Sequence, residues 1–235
     1  MLIKKEQIDN FLQKYLKLKI RKLNKSKFKS IKKRFDYQSN IIKFQFTPNM
    51  KVLDIGSGAD PFPYATHLVD KFPGETSHRV GDAIIDDRPF IKADIVNLPF
   101  EDKYFDFTYC SHVLEHVDNP FLACKEIMRV SKAGYIETPS KTSDIMFNFT
   151  RLKNHHKWFV EVLGNKLVFL EWGDSARRDL GSNYFFQEFH SDFETKFQTY
   201  FYNNLDLFVN SFEWKDHFDV IVIDKNGNLL KESNA

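Results

Sequence analysis

Short apolar runs, several of them ending in an acidic residue, recur between positions 51 and 140 of this chain, and they predict a series of buried strands. The predicted strands cover 51–55, 67–69, 90–94, 105–110 and 135–138. Between the last two, apolar positions follow helical spacing, and Pro120 suits the first turn of a helix over 119–130. This alternation predicts an α/β fold built on a mostly parallel sheet.

Composition limits the classes of protein to which the chain can belong. With 235 residues, 42% of them hydrophobic, it can bury a sizeable core in one or two domains. Two cysteines, Cys110 and Cys124, form no disulfide framework and favour a reducing compartment. No apolar run approaches the roughly 18 to 20 residues of a membrane span. We therefore expect a cytoplasmic protein, either soluble or peripheral to the inner face of the membrane.

The first 35 residues form a strongly basic arm. They contain 13 Lys or Arg against Glu6 and Asp9, which leaves 21 basic and 30 acidic residues in the rest of the chain. Apolar residues fall near helical spacing from Ile8 to Leu23, so the arm predicts a basic amphipathic helix within a unit over 1–45. Such a helix can lie on an anionic membrane or reach a lipid-linked substrate, bind nucleic acid through phosphates, or cap the domain.

A glycine motif follows the first predicted strand. In 51–60, KVLDIGSGAD, the strand runs into Asp54, Gly56 and Gly58. The two glycines permit a tight turn whose amides can face a polar or anionic ligand. Pro61 stands where a dinucleotide fingerprint has its third glycine, which disfavours NAD as the ligand.

The same segment predicts an unusual start to the domain. Pro61 and Pro63 come directly after the motif, so the usual first helix is expected to be short or missing. Asp60, Tyr64 or the chain before residue 51 would then form the outer wall of the ligand site.

Over 51–139 the chain resembles the class I S-adenosylmethionine-dependent methyltransferases, most closely the type-11 group. The resemblance rests on the glycine motif, on the acid-terminated runs HLVD at 67–70 and FIKAD at 90–94, on LPF at 98–100, and on YFDFTYCSHVLEHV at 104–117. It implies a Rossmann-like core over 46–140 that binds S-adenosyl-L-methionine.

The resemblance also implies a role for each motif residue. Asp54, Gly56 and Gly58 would hold the methionine end of the cofactor. Asp70 would accept hydrogen bonds from the ribose, and Asp94 would bind the adenine amino group. The remaining contacts would come from Ile95 and Leu98 beside the adenine, and from Cys110 and Ser111 beneath the methionine.

The rest of the chain is predicted to complete the fold. Residues 205–214 and 218–223 suit two strands, and the resembled class ends in an antiparallel pair that would close the sheet as a unit over 205–235. The intervening 141–204 is an aromatic-rich insertion, expected to form a lid or acceptor pocket.

Histidines supply the candidate catalytic groups. His112 and His116 follow the fourth predicted strand, and His155 and His156 lie in the insertion. Each can act as a base near neutral pH. His112, Glu115 and His116 also have the spacing of metal ligands, but the L-E-H-V string is frequent in type-11 methyltransferases without metal, so we predict no metal.

These observations predict an enzyme that methylates an oxygen of a small-molecule or glycan-like acceptor, with a nitrogen as the less favoured target. Nucleic acid is the less favoured partner. Two alternatives remain open: an RNA methyltransferase that uses the basic arm, and a non-catalytic cofactor-binding or membrane-associated module.

Overall fold

The structure, a computed structural model, describes residues 36–38, 45–74, 82–147, 155–173, 184–189, 191 and 195–233. The helix predicted in the first 35 residues lies outside them. No helix in the described part of the chain is long and apolar enough to cross a bilayer.

A six-stranded sheet forms the centre of the molecule. Its strands are β1 (Val52–Ile55), β2 (His67–Asp70), β3 (Phe90–Lys92), β4 (Phe107–Ser111), β5 (Ala133–Pro139) and β8 (Val209–Lys215), in the order β3-β2-β1-β4-β5-β8. The first five are parallel, and β8 is antiparallel to β5. All four residues of β1 are buried because the strand lies inside the sheet with both faces covered. The predicted mostly parallel sheet with an antiparallel C-terminal strand is confirmed.

One face of this sheet is covered by an aromatic loop. As predicted, residues 56–66 form turns and contain no helix. Phe62 from this loop stacks on Tyr109 of β4 with ring centroids 4.1 Å apart, and Phe46 packs edge-on against both Phe62 and Phe107. Aromatic rings thus bury the sheet surface where the missing helix would lie.

The opposite face packs on helix α1 (Pro120–Val130). Asn119 caps the helix by accepting a hydrogen bond from the Leu122 amide, and Pro120 occupies its first turn. Its apolar stripe, which includes Cys124 and Ile127, is fully buried against the sheet.

The C-terminal strands differ from the prediction. β9 (Asp219–Ile223) does not join the six-stranded sheet. It pairs with β7 (Lys166–Glu171) in a second sheet of order β10-β9-β7-β6, with β6 at Trp158–Val162 and β10 at Leu229–Glu232. Strands from the predicted insertion over 141–204 and from the predicted C-terminal unit over 205–235 therefore pair in this second sheet.

Short helices account for the rest of the described chain after β5: α2 (Lys141–Met146), α3 (Tyr184–Phe189), α4 (Lys196–Asn203) and α5 (Leu205–Phe208). Residues 205–208 were predicted as strand. They form α5 instead because Phe208 turns into an aromatic cluster with Phe147 and Phe201. In the described residues these rings pack on one another, and the insertion contributes only Lys157 to the cavity described next.

Candidate functional site

A cavity of about 620 Å³ opens at the carboxyl ends of β1 to β4. Ligands bind at this edge of open parallel sheets, and the volume is typical of small-molecule sites. From one end to the other its lining includes Asp54, Gly56, Ser57, Gly58, Asp60, Asp70, Lys71, Asp94, Ile95, Tyr109, Ser111, His112, His116, Asp118, Asn119 and Lys157.

The glycine turn forms the wall nearest β1. Gly56 and Gly58 both have positive φ angles, of 71° and 53°, which favour glycine. A Cβ atom at Gly56 would lie 2.4 Å from Val113 Cγ2, so the missing side chain also allows close packing. The amides were expected to face a ligand, but those of Gly56 and Ser57 donate to Val69 O and that of Gly58 donates to Asp70. The turn shapes the cavity through its backbone path.

Asp54 and Asp70 are buried acids that also support the backbone. Asp54 Oδ2 accepts a hydrogen bond of 2.7 Å from the Phe62 amide. Asp70 accepts from the Gly58 amide at 3.0 Å and from the Phe72 amide at 2.8 Å. Both acids also line the cavity, where a carboxylate can accept several hydrogen bonds at once.

The third acid, Asp94, takes part in an ion pair. Its Oδ2 lies 2.6 Å from Lys71 Nζ, which joins the ends of β2 and β3 at the cavity surface. Ile95 lines the cavity beside it, as predicted for a residue flanking an adenine ring. Leu98 does not line the cavity and is buried in the main core instead.

Cys110 and Ser111 occupy different environments because successive residues of a strand point to opposite faces. Ser111 lines the cavity. Cys110 is fully buried in the main core and does not line it, which departs from the predicted floor position. Burial raises the pKa of the Cys110 thiol well above its usual range, so it stays neutral.

His112 lies between two buried carboxylates at the other end of the cavity. Its Nδ1 is 3.5 Å from Glu115 Oε1, and its Nε2 is 3.2 Å from Glu137 Oε1. Burial lowers the pKa of His112, but Glu115 and Glu137 outweigh this effect and raise the pKa to about 10. An imidazolium cannot accept a proton, so the predicted role of His112 as a base is disfavoured.

Glu137 is the centre of a buried hydrogen-bond network that sequence reasoning missed. It is fully buried in β5 and accepts hydrogen bonds from Tyr37, Gln38, Ser111 and Tyr135. Burial raises the pKa of Glu137, but His112, Tyr135 and Gln38 lower it to about 2 overall. Tyr37 and Gln38, from the chain before residue 51, bond to Glu137 but do not line the cavity. Of the residues predicted for the outer wall, Asp60 lines the cavity and Tyr64 does not.

A second group of polar residues forms around Glu115. Glu115 is 1% exposed, and neither of its carboxylate oxygens has a hydrogen-bond partner within the described chain. His116 Nε2 lies 3.8 Å from Glu115 Oε1, and His116 Nδ1 contacts His155 O at 2.5 Å. His156 Nδ1 contacts Asp144 Oδ1 at 2.5 Å. His116 lines the cavity, whereas His155 and His156 do not.

The lining fits S-adenosylmethionine, which carries a cationic sulfonium and polar groups at both ends. Asp54, Asp60, Asp70 and Asp94 make this half of the cavity predominantly acidic. Ser57 adds a buried hydroxyl without a hydrogen-bond partner in the described residues, and such a group favours a polar ligand. The predicted cofactor-binding residues other than Cys110 and Leu98 therefore come together on one surface.

Comparisons with known proteins agree with this geometry. Residues 53–136 match the family model described as a methyltransferase domain. The chain is 39% identical over 89 residues to a demethylmenaquinone methyltransferase of Paenarthrobacter aurescens. This match covers 36% of this chain and 35% of that protein. It is 36% identical over 92 residues to the protein of the same name from Renibacterium salmoninarum, covering 37% and 39%. The chain thus spans little more than a third of the length of these relatives.

Solved structures show a weaker likeness. A SAM-dependent methyltransferase from Archaeoglobus fulgidus has a TM-score of 0.35 at 23% identity, covering 48% of this chain and 55% of its own. The PH0226 protein from Pyrococcus horikoshii OT3 has a TM-score of 0.39 at 18% identity, covering 57% and 64%. We base the assignment on the family match and the geometry of the cavity.

Together, the six-stranded sheet, the cavity and the family match place residues 53–136 in a class I S-adenosylmethionine-dependent methyltransferase domain. The resemblance seen in the sequence is confirmed for this segment. S-adenosylmethionine is the cofactor of such a domain.

Proposed function

We propose that this protein transfers a methyl group from S-adenosylmethionine to an acceptor held at the histidine end of the cavity. The observation that carries the proposal is the convergence of Asp54, Gly56, Asp70 and Asp94 at neighbouring strand ends, within the segment that matches a methyltransferase domain. When bound, the cofactor supplies an activated methyl group, so the protein's main task is to align the acceptor.

The acceptor end supports methylation of a polar oxygen. It is lined by His112, His116, Asp118, Asn119 and Lys157, all of which can form hydrogen bonds or ion pairs. His116 also lines the cavity and lies beside one carboxylate, Glu115 at 3.8 Å, whereas His112 lies between two, so His116 is the better placed to receive a hydroxyl proton. We propose a hydroxylated small-molecule or glycan-like acceptor.

Binding of the cofactor is the first test. Isothermal titration with S-adenosylmethionine and S-adenosylhomocysteine should show micromolar dissociation constants, on the order expected for small-molecule sites, with no heat from NAD. Gly56→Arg should abolish binding, because its side chain would enter the cavity wall at Val113. Gly164→Arg is the matched control, since Gly164 also has positive φ and has open space around it. If both variants bind S-adenosylmethionine equally well, the assignment of the cofactor site to this cavity is contradicted.

A second candidate acceptor comes from the names of the relatives. Both sequence relatives are called demethylmenaquinone methyltransferases, although the match covers little more than a third of their length. Release of S-adenosylhomocysteine should therefore be followed with demethylmenaquinone beside a panel of hydroxylated acceptors. Turnover with demethylmenaquinone alone would reject the hydroxyl proposal and retain methyl transfer.

We also propose that the basic arm brings the enzyme to an anionic membrane or a lipid-linked substrate. The charge of residues 1–35 supports this proposal. Sedimentation with phosphatidylserine vesicles should fall when the six Lys and Arg of 25–34 are replaced by glutamine. Salt-sensitive RNA binding that is lost in the same variant, without vesicle binding, would favour the RNA alternative.

A further inference from the structure

Three side chains at the histidine end of the cavity have the arrangement of a metal site. Ligand atoms of Glu115, His116 and His156 all lie within 4.8 Å of one another. Two ligands about 2.1 Å from one metal ion are roughly 3.4 Å apart in tetrahedral geometry, so small side-chain movements would bring these atoms into coordination. The cluster differs from the spacing pattern in the sequence, because His156 takes the place of His112.

The carboxylate of Glu115 is the observation that points to a ligand. A buried carboxylate without hydrogen bonds is costly, yet Glu115 is 1% exposed with neither oxygen hydrogen-bonded in the described residues. Two histidine nitrogens lie near its Oε1 without forming a hydrogen bond: His112 Nδ1 at 3.5 Å and His116 Nε2 at 3.8 Å. A cation between Glu115 and the histidines would satisfy both oxygens.

The two histidines are oriented as metal ligands usually are. In most sites the ring nitrogen that does not bind the metal donates to a carboxylate or a backbone carbonyl. His156 Nδ1 contacts the Asp144 carboxylate, and His116 Nδ1 contacts His155 O, both at 2.5 Å. These contacts fix the rings so that Nε2 of each is the nitrogen suited to coordination.

We propose that Glu115, His116 and His156 bind one divalent transition-metal ion, with Zn²⁺ the favoured ion. Two imidazoles and one carboxylate form a ligand set that zinc accepts with a coordination position left open, whereas Mg²⁺ and Ca²⁺ prefer oxygen ligands alone. His116 lines the cavity while Glu115 and His156 are buried, so the open position would face the acceptor end. There the ion would bind an acceptor oxygen and lower its pKa, and His116 would act as a ligand in place of a base.

The test needs neither the methyl donor nor an acceptor, so its failure would leave the proposed methyl transfer standing, with His116 as the base. The full chain, stripped with a chelator, is titrated with Zn²⁺ by calorimetry and with Co²⁺ by visible absorption, and Mg²⁺ serves as the contrasting ion. We expect one Zn²⁺ per chain, a Co²⁺ spectrum that Zn²⁺ abolishes, and no binding of Mg²⁺.

Variants locate the ion. Glu115→Gln and His116→Ala should each weaken Zn²⁺ binding by about tenfold or more. His155→Ala is the matched control, because it removes a neighbouring histidine ring, 4.8 Å from that of His156, but keeps the carbonyl that contacts His116. It should bind Zn²⁺ within about twofold of the unmodified protein.

The melting midpoint gives a second measurement of Zn²⁺ binding, which remains usable for variants that are less stable. Zn²⁺ should raise the melting midpoint of the unmodified protein and of His155→Ala, but not that of Glu115→Gln. Because the increment is measured within each variant, a lower starting stability does not affect it. The proposal is overturned if Zn²⁺ does not bind, or if Glu115→Gln binds it as tightly as His155→Ala does.

Discussion

The two ends of the cavity are built in different ways. At the glycine–aspartate end, formed by residues 54–95, buried acids hold backbone amides, and each motif is contiguous in the sequence. At the histidine–glutamate end, His112 contacts Glu137, and His116 lies beside His155 and His156. The first end is stabilised by local turns, and the second by buried charges brought together from distant segments.

Because of this difference, we expect substitutions at the two ends to have different effects on cofactor binding and on stability. A change at the glycine–aspartate end should affect the shape of the cavity and cofactor affinity. Removal of one charge at the histidine–glutamate end should destabilise the whole domain, because it leaves an opposite charge without its partner.

The largest effect is expected for Glu137→Ala. Loss of the carboxylate leaves His112, Tyr135 and Gln38 without their shared acceptor in a buried site. The free energy of unfolding should fall by about 3 to 5 kcal/mol, measured by urea denaturation. A loss below about 1 kcal/mol would mean that the network contributes little to the stability of this end.

Glu137→Gln tests the charge separately from the shape. The pKa of Glu137 is lowered from 4.5 to about 2 in the folded protein. A carboxylate whose folded pKa is lowered stabilises the protein above its unfolded pKa and loses this contribution as pH falls toward the folded value. The stability difference between the unmodified protein and Glu137→Gln should thus be constant between about pH 5 and 6, below the unfolded pKa of His112, and shrink as the pH falls from 4.5 toward about 2. A difference that does not change over this range would contradict a charged Glu137.

The next largest effect is expected for Gly56→Ala, at the other end. The new Cβ would lie 2.4 Å from Val113 Cγ2, at a φ of 71° that disfavours side chains. We expect a loss of about 2 to 4 kcal/mol in the free energy of unfolding. Gly164→Ala is the control, because its φ is 61° and it has nothing within 4 Å, so it should lose only the strain of about 1 to 2 kcal/mol. Equal losses would show that Val113 can move away.

The sequence predicted the glycine–aspartate end well because its signals are local. An acid at the end of a buried strand marks the edge of the sheet, and Pro61 and Pro63 correctly exclude a first helix. The hydrogen-bond partners of the turn amides could not be predicted from the sequence. The path of the Gly56–Gly58 backbone decides whether these amides face the ligand or donate to Val69.

The histidine–glutamate end was only partly predictable, for a physical reason. The spacing of His112, Glu115 and His116 marked this region, but nothing in the spacing shows that Glu137 is the partner of His112 or that His156 approaches Glu115. Such pairs depend on strand register and on the packing of β6 against the first sheet. For the same reason the position of β9 was predicted wrongly, because an apolar run does not reveal which strand it will join.

A smaller effect, on binding and not on folding, is expected for Asp70→Ala. If Asp70 accepts hydrogen bonds from the ribose, the affinity for S-adenosylhomocysteine should fall by about 1 to 3 kcal/mol in isothermal titration. Asp60→Ala removes another acid from the same cavity and is expected to have less effect. Unchanged affinity in Asp70→Ala would refute the ribose assignment and leave the hydrogen bonds to Gly58 and Phe72 as its role.

The smallest effect is expected for Lys71→Ala, which tests whether the ion pair at the cavity surface belongs to the binding site. Lys71 and Asp94 are 50% and 36% exposed, so solvent screens their attraction, and stability should change by less than about 1 kcal/mol. Lys132→Ala is the matched control, because Lys132 forms a similarly exposed pair with Asp106 outside the cavity. If Asp94 binds the adenine amino group, removal of Lys71 leaves this acceptor in place, and cofactor affinity should stay within about threefold. A fall in cofactor affinity of about tenfold or more in Lys71→Ala, but not in Lys132→Ala, would mean that Lys71 itself binds the cofactor. The acids would then not be the only charged groups at this end that bind the cofactor.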